Sequence, residues 1–427
     1  MKRDAVPLLP MTTATTTTRA AAVLAFFGVV LLAFFFDIRL AHAETFTVNS
    51  TGDAEDQAPG GVCNTAPFPV GTEPECTLRA AIQEANATTT ADTISFNIGG
   101  SGVKIISPAS SSLPAITQPV TIDGYSEPGA TENTETQPGK TNAVLKIQLR
   151  GSSTSSGSSG LTVFIGVSDT VIRGLAISNF GTGITLLGSG SGNRIEGNFI
   201  GADPSGVSAV GNGDGVQFSV ANGSTLGGTS PDKRNLISGN ENFGVWLEGS
   251  SSGNGIEGNL IGTDRNGGAL GNGDTGVLLS SSGSAGNRIL SNSISSNGAL
   301  GIDLGLNGVT ANDPGDADTG PNNLQNFPVL TRATTSRRGA AIRGRLNSTP
   351  NTTFTLQLFS NPRGENEGKK LIAQRKVTTD AAGNASFFVR LGRGAVGAGQ
   401  FVTATATDPG GNTSEFSARR RVVLVRR

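Results

Sequence analysis

Apolar residues in this chain come in short groups, separated by glycines and polar residues. Within a group they alternate, as in strands whose side chains point to opposite faces in turn. From residue 160 three groups recur in fixed order. The first is GLTV at 160, GITL at 183, GVQF at 215, GVWL at 244, GVLL at 276 and GIDL at 301. The second is NRIEG at 193, STLGG at 224, NGIEG at 254 and NRILS at 287. The third is NFIG at 198, NLIS at 235, NLIG at 259 and NSIS at 292. Successive first motifs at 160, 183 and 215 set one repeat at 23 to 32 residues. Three strands per repeat, each too short to stand alone, predict a three-sided coil whose turns stack into parallel sheets. The fold class is therefore all-β, a parallel β-helix. Alternation places Ile184, Val216, Val245, Val277 and Ile302 inside, with Leu186, Phe218, Leu247, Leu279 and Leu304 as a second inward stack. Asn198, Asn235, Asn259 and Asn292 recur at one position and predict a side-chain amide ladder. The segments at 92, 103, 119 and 143 read as irregular earlier turns, and GSSTSSGSSG at 151 as a projecting loop.

An open solenoid exposes an apolar end and free strand edges, so it needs caps. CTLRAAIQEAN at 76–86 is the one convincing helix after the leader. Thr77 is its N-cap, and Leu78, Ala81, Ile82 and Ala85 form its apolar face. We place it across the N-terminal opening, over residues 44–91, ahead of solenoid turns spanning 92–327. In an exported chain, Cys63 and Cys76 are expected to form a disulfide worth roughly 3 kcal/mol; a reactive thiol is the alternative.

The stretch CTLRAAIQEAN resembles the signature of the CSLREA-domain family, with Thr77 and Ala80 departing from it. The turns ending in NLIGTD and NLISGN are similar to the repeats that follow that signature, as are VTIDGYSEPGA at 120–130 and NDPGDADTGPNNLQNFPVL at 312–330. The resemblance covers about residues 45–330. It implies an exported bacterial right-handed β-helix of the pectin-lyase-like shape and no agreed activity.

Composition narrows the chemistry. Glycine is 61 of 427 residues, about twice the usual share. The only histidine is His42 and the only methionines are Met1 and Met11. The leader has Lys2, Arg3 and Arg19, an apolar run from Ala20 to Phe36, then Ala41-His42-Ala43. Residues 1–43 read as a signal peptide cleaved after Ala43, with an uncleaved membrane anchor as the alternative. After cleavage no histidine remains, which excludes Ser-His-Asp and Cys-His nucleophile systems and His-ligated zinc or copper. The expected location is extracellular or the cell surface, with the periplasm possible.

Residues 44–327 hold 11 basic and 26 acidic residues, whereas 328–427 hold 17 and 5. The shift marks a boundary and argues against nucleic acid as a ligand of the acidic part. Beyond it, longer alternating strands such as AAIRGRLN, TFTLQLFS, NASFFVRL and QFVTATATD, separated by turns, predict an Ig-like β-sandwich over 328–427. Its arginines read as a solvated face, as a surface docking on the acidic solenoid, or as a site for an anionic envelope polymer.

Outward positions supply the candidate site. Trp246, the only tryptophan, lies with Gln217 and Glu248 on one outward row, where a ring could stack on a sugar. On another row Glu196 and Glu257 stand two turns apart, about 9.6 Å at the strand spacing. That is too far for a retaining glycosidase and marginal for an inverting one. Asp303 is a further candidate carboxylate. Asp313, Asp316, Asp318 and Asn322 offer hard oxygens for calcium. The leading expectation is a non-catalytic exported protein for adhesion, matrix structure or glycan binding; the alternative is a polysaccharide lyase or glycoside hydrolase.

Overall fold

The computed structural model describes residues 42–66, 74–109, 112–155 and 157–425. Most of the leader lies outside them; Ala43 is exposed and in no regular element. Residues 41–427 form one compact unit.

Three parallel sheets, counted among the described residues, form the solenoid. The first has eight strands, from Thr45–Val48 to Arg288–Leu290. The second has seven, from Lys104–Ile106 to Ser293–Ile294. The third has six, from Ser159–Val163 to Ile302–Leu304. The registers match the sequence repeats. Ile184, Val216, Val245, Val277 and Ile302 stand side by side, and each is at most 2% exposed. The second inward stack, Leu186 to Leu304, is buried with them in one core.

Buried asparagines tie successive turns together. The amide of Asn198 reaches Asn235, Asn235 reaches Asn259, and Asn259 reaches Asn292, at 2.9–3.2 Å. A second ladder runs Asn212, Asn240, Asn272, Asn297. A third joins Asn254, Asn287 and Asn322. Each satisfies backbone groups that the tight corners leave unpaired inside the core. The glycine opening every first motif has a steric reason. A Cβ on Gly215 would lie 2.3 Å from the carbonyl oxygen of Gly244 on the next turn, and one on Gly244 would lie 2.7 Å from that of Gly276. Side chains there would push the turns apart.

The N-terminal opening is closed as expected. The capping helix, Leu78–Ala87, buries Leu78, Ala81, Ile82 and Ala85 in the core that holds Phe46, Val48, Ile94 and Phe96. Thr77 accepts the Ala80 amide, and Cys63–Cys76 form a disulfide. Glu84, fully buried, accepts the Gly60 and Gly61 amides and holds the loop before the helix.

Most of the outer face of the second sheet is also covered, with Ile105 of its first strand left exposed. Chain from Tyr125 to Leu145 folds over it, and Ala143 and Leu145 pack with Phe199, Leu236 and Leu260. Arg234 and Arg265 hold this excursion by its backbone, at Glu135 and at Thr141 and Ala143 respectively.

From Val329 the chain forms a sandwich-like module of seven strands, linked into one sheet whose two halves join through Arg420–Leu424, with its own core, including Ile342, Phe354, Leu356, Val389 and Val402. The four strands read from the sequence are present, Gly339–Asn347, Thr353–Asn361, Asn384–Leu391 and Phe401–Thr407. Val329–Ser336, Lys370–Thr378 and Arg420–Leu424 complete it.

This sandwich closes the other end of the solenoid. Thr413 accepts the Ile289 amide of the last first-sheet strand. Gly368 pairs with Ile294 of the last second-sheet strand. Glu415 accepts the Leu304 amide of the last third-sheet strand. All three exposed edges thus find partners in one module.

Candidate functional site

With most of the second sheet covered, outward chemistry is left to the first and third. On the third sheet the register places Thr185, Gln217, Trp246, Leu278 and Asp303 in one row, as alternation requires. Trp246 is half-buried. Its indole N–H donates to the Ser280 hydroxyl at 2.9 Å, and its ring tilts against Phe243 with centroids 5.8 Å apart. Gln217 donates its side-chain amide to Glu248 at 3.0 Å. The three residues grouped from sequence are therefore together, with the indole fixed at one edge and a polar pair beside it.

The same row is covered at both ends. Thr185 is 7% exposed, Leu278 is fully buried and Asp303 is 4% exposed. The amides of Leu306, Asn307 and Gly308 gather about the Asp303 carboxylate, and burial raises its pKa despite them. Asp303 stands on the outward row but is not an exposed acid. Alternation gives the face of a residue but not the loop that later covers it.

On the first sheet Glu196 and Glu257 flank the strand Thr225–Gly227 and so stand two rungs apart. Each has a cation. Lys233 lies 3.7 Å from Glu196, and Arg288 binds Glu257. Arg173, in register with Glu196, pairs instead with Asp123 at 2.8 Å and Glu132 at 3.0 Å. Each carboxylate is thus held by its own cation, and the two do not converge on a shared point.

Asp313, Asp316 and Asp318 do come together, with a carboxylate oxygen from each within 4.8 Å of the others. Burial, then mutual repulsion, raises the pKa of Asp318; in Asp316 burial also leads. Asn322 is not part of this group. Its side-chain oxygen accepts the Asn287 amide and its side-chain nitrogen reaches the carbonyls of Asn287 and Thr413, so it ends the third ladder. Asp316 is itself committed to Ser348, Gln325 and the Asn326 amide.

Sequence reasoning did not find Glu367 and Glu415. Glu367 accepts the backbone and side-chain amides of Asn297 at 3.0 and 2.8 Å. Glu415 accepts those of Leu304 and Thr310, both at 3.0 Å. Both are buried, and burial outweighs these bonds, pushing each pKa up to about 7. Their only sequence signal is scarcity, for they are two of five acids after residue 327.

Residues 159–313 match the family described as "Periplasmic copper-binding protein (NosD)". No curated protein matches the sequence. Among solved structures, the chain is similar to the enzymatically active domain of bacteriophage CBA120 tailspike protein 2, at 10% identity over 80% of this chain and 73% of that one, with a TM-score of 0.25. Full-length tailspike protein 2 from the Escherichia coli O157:H7 bacteriophage matches at 12% identity over 80% and 65%, with a TM-score of 0.23. The tailspike gp49 of Acinetobacter baumannii bacteriophage Fri1, described as a capsular polysaccharide depolymerase, matches at 11% identity over 77% and 79%, with a TM-score of 0.11.

The family name raises copper, and the donor set answers it. The matched span contains no histidine, cysteine or methionine, the side chains that supply imidazole and soft sulfur to copper. Both cysteines are locked in the disulfide. Residues 159–313 of this solenoid do not fit a copper site. Among the described residues no helix is long and apolar enough to cross a membrane.

Proposed function

We propose that the protein is an exported, non-catalytic solenoid that binds glycan at or beyond the cell surface, with the Trp246 row of the third sheet as its contact. The observation that carries this reading is the anchoring of Trp246. A half-buried indole held by Ser280 and Phe243 offers part of a flat apolar surface at small entropic cost. The Gln217–Glu248 pair beside it offers fixed donors and acceptors to hydroxyls. Export is supported by the leader pattern, by the disulfide and by the match to a periplasmic family over 159–313. The lack of catalysis is supported by the ion pairs that occupy Glu196 and Glu257.

The test is a glycan array probed with the chain from Glu44 onward, which contains nearly all of the compact unit. Binding to a defined set of neutral glycans, lost in Trp246→Ala and kept in Glu257→Gln, is the expected result. No binding to any neutral glycan, or neutral-glycan binding indifferent to Trp246→Ala, overturns the reading.

A further inference from the structure

The sandwich presents a second surface, far from the Trp246 row in sequence and opposite in charge. The strands Val329–Ser336, Gly339–Asn347 and Asn384–Leu391 lie side by side. Their outward positions form columns. Arg332 faces Arg343, which faces Phe388; in the next column Thr334 faces Ala341, which faces Arg390. The small residues Thr334, Ala341 and Gly339 floor a shallow hollow of about 370 Å³, and Arg332, Arg338, Arg343, Arg390 and Phe388 rim it.

Fold stability does not explain this arrangement. Like charges directly across a strand pair destabilise a sheet, yet Arg332 is opposite Arg343. Arg345 follows two positions on, on the same face. None of the strands Val329–Ser336, Gly339–Asn347, Asn384–Leu391 and Arg420–Leu424 contains an acid. Among the described residues, every ion pair lies before residue 289. Phe388 is 44% exposed, with the guanidiniums of Arg343 and Arg390 packed on its ring at 4.9 and 5.3 Å. The ring orients two guanidinium groups whose N–H forks have no carboxylate to bind.

We infer that this face is a binding site for an acidic polysaccharide, whose carboxylate or sulfate groups are held by Arg332, Arg343 and Arg390. Guanidinium forks take planar anions in bidentate fashion, and the exposed Ser386, opposite Arg345, continues the same outward face toward further polymer. Two competing occupants fit less well. Binding of single-stranded nucleic acid relies on aromatic platforms for bases, and here guanidiniums pack on the Phe388 ring that lines the hollow. A second copy would have to offer its acidic solenoid, where Asp123, Glu196 and Glu257 already hold cations.

The site is independent of Trp246, and the experiment separates the two. Polygalacturonate supplies carboxylates, heparin supplies sulfates as well, and dextran is the neutral control. Binding to the chain from Glu44 onward is measured by titration calorimetry, with self-association followed by light scattering. The expected result is binding of at least one acidic polymer and not dextran, weakening as salt rises. Affinity falls at least about tenfold in Arg332→Gln/Arg343→Gln/Arg390→Gln and is unchanged in Trp246→Ala. Should the triple variant fail to fold, each single variant is expected to lose about threefold. The proposal is overturned by equal binding of wild type and variants, by dextran binding as well as the acidic polymers, by tighter binding of a DNA oligonucleotide than of either glycan, or by a dimer that the substitutions abolish.

Discussion

Glu367 ends the ladder that begins at Asn212: its two carboxylate oxygens take the backbone and side-chain amides of Asn297, the contacts the next asparagine would make. A residue of the sandwich thus completes a periodic structure whose own repeat has run out. The two modules are joined by shared hydrogen bonds as well as by packing.

Removing that carboxylate should loosen the seam. Glu367→Ala takes the acceptor from the backbone amide of half-buried Asn297 and leaves its side-chain amide only the Ile261 carbonyl at 3.5 Å; an unpaired buried group costs about 1–3 kcal/mol. The variant is expected to unfold at lower urea, with the Asn297 backbone amide exchanging faster than in wild type. An unchanged midpoint and unchanged exchange would show that Glu367 is not holding the last turn.

The same residues set a pH dependence. Glu367 and Glu415 titrate near pH 7 rather than 4.5 because burial disfavours their charge more than the amides favour it. Between those values the folded state keeps protons that the unfolded chain releases. The stabilisation is full below about pH 4.5 and is lost as pH rises through about 7. The shift corresponds to roughly 3 kcal/mol per group. The urea midpoint should fall between pH 5 and pH 8, and Glu367→Gln should flatten that fall. A midpoint that rises over this range contradicts the assignment.

Close approach of the turns is testable at one glycine. Gly215→Ala places a methyl 2.3 Å from a backbone carbonyl that cannot move without disturbing the next turn. Overpacking of this kind costs about 1–3 kcal/mol or more. Gly392→Ala, where nothing lies within 4 Å, should stay within about 0.5 kcal/mol. Thermal melts of the pair check this, and equal melting points would refute the steric account.

The clamp at Asp316 gives a further outcome. Its carboxylate joins Ser348, Gln325 and the Asn326 amide across the start of the sandwich. Asp316→Ala should cost about 2 kcal/mol in chemical unfolding, whereas Asp318→Asn, which relieves a raised pKa, should stabilise slightly. The opposite ordering would mean that the cluster is not organised around Asp316.

Period-2 alternation together with recurring glycine and asparagine made the solenoid readable, because each repeat solves the same packing problem at the same position. Val245 and Leu247 are buried for the reason their neighbours are. The capping helix was readable because Leu78, Ala81, Ile82 and Ala85 satisfy a different period. What breaks the repeat was hidden. Asn322 looks like part of an acidic turn, yet it is a ladder rung 35 residues after Asn287, outside any repeat motif. Glu367 and Glu415 act 70 and 111 residues away from Asn297 and Leu304. Asp303 keeps its outward position but is enclosed by the loop that follows it. These are long-range covers, and neither composition nor spacing encodes them.

The central claim is that the outward solenoid surface holds glycan without cleaving it. A glycan retained on the array is incubated with the protein, and the solution is analysed for new reducing ends and unsaturated ends. The account predicts saturable binding that needs Trp246 and leaves the polymer intact. Release of fragments that stops in Glu257→Gln or Asp303→Asn would contradict it.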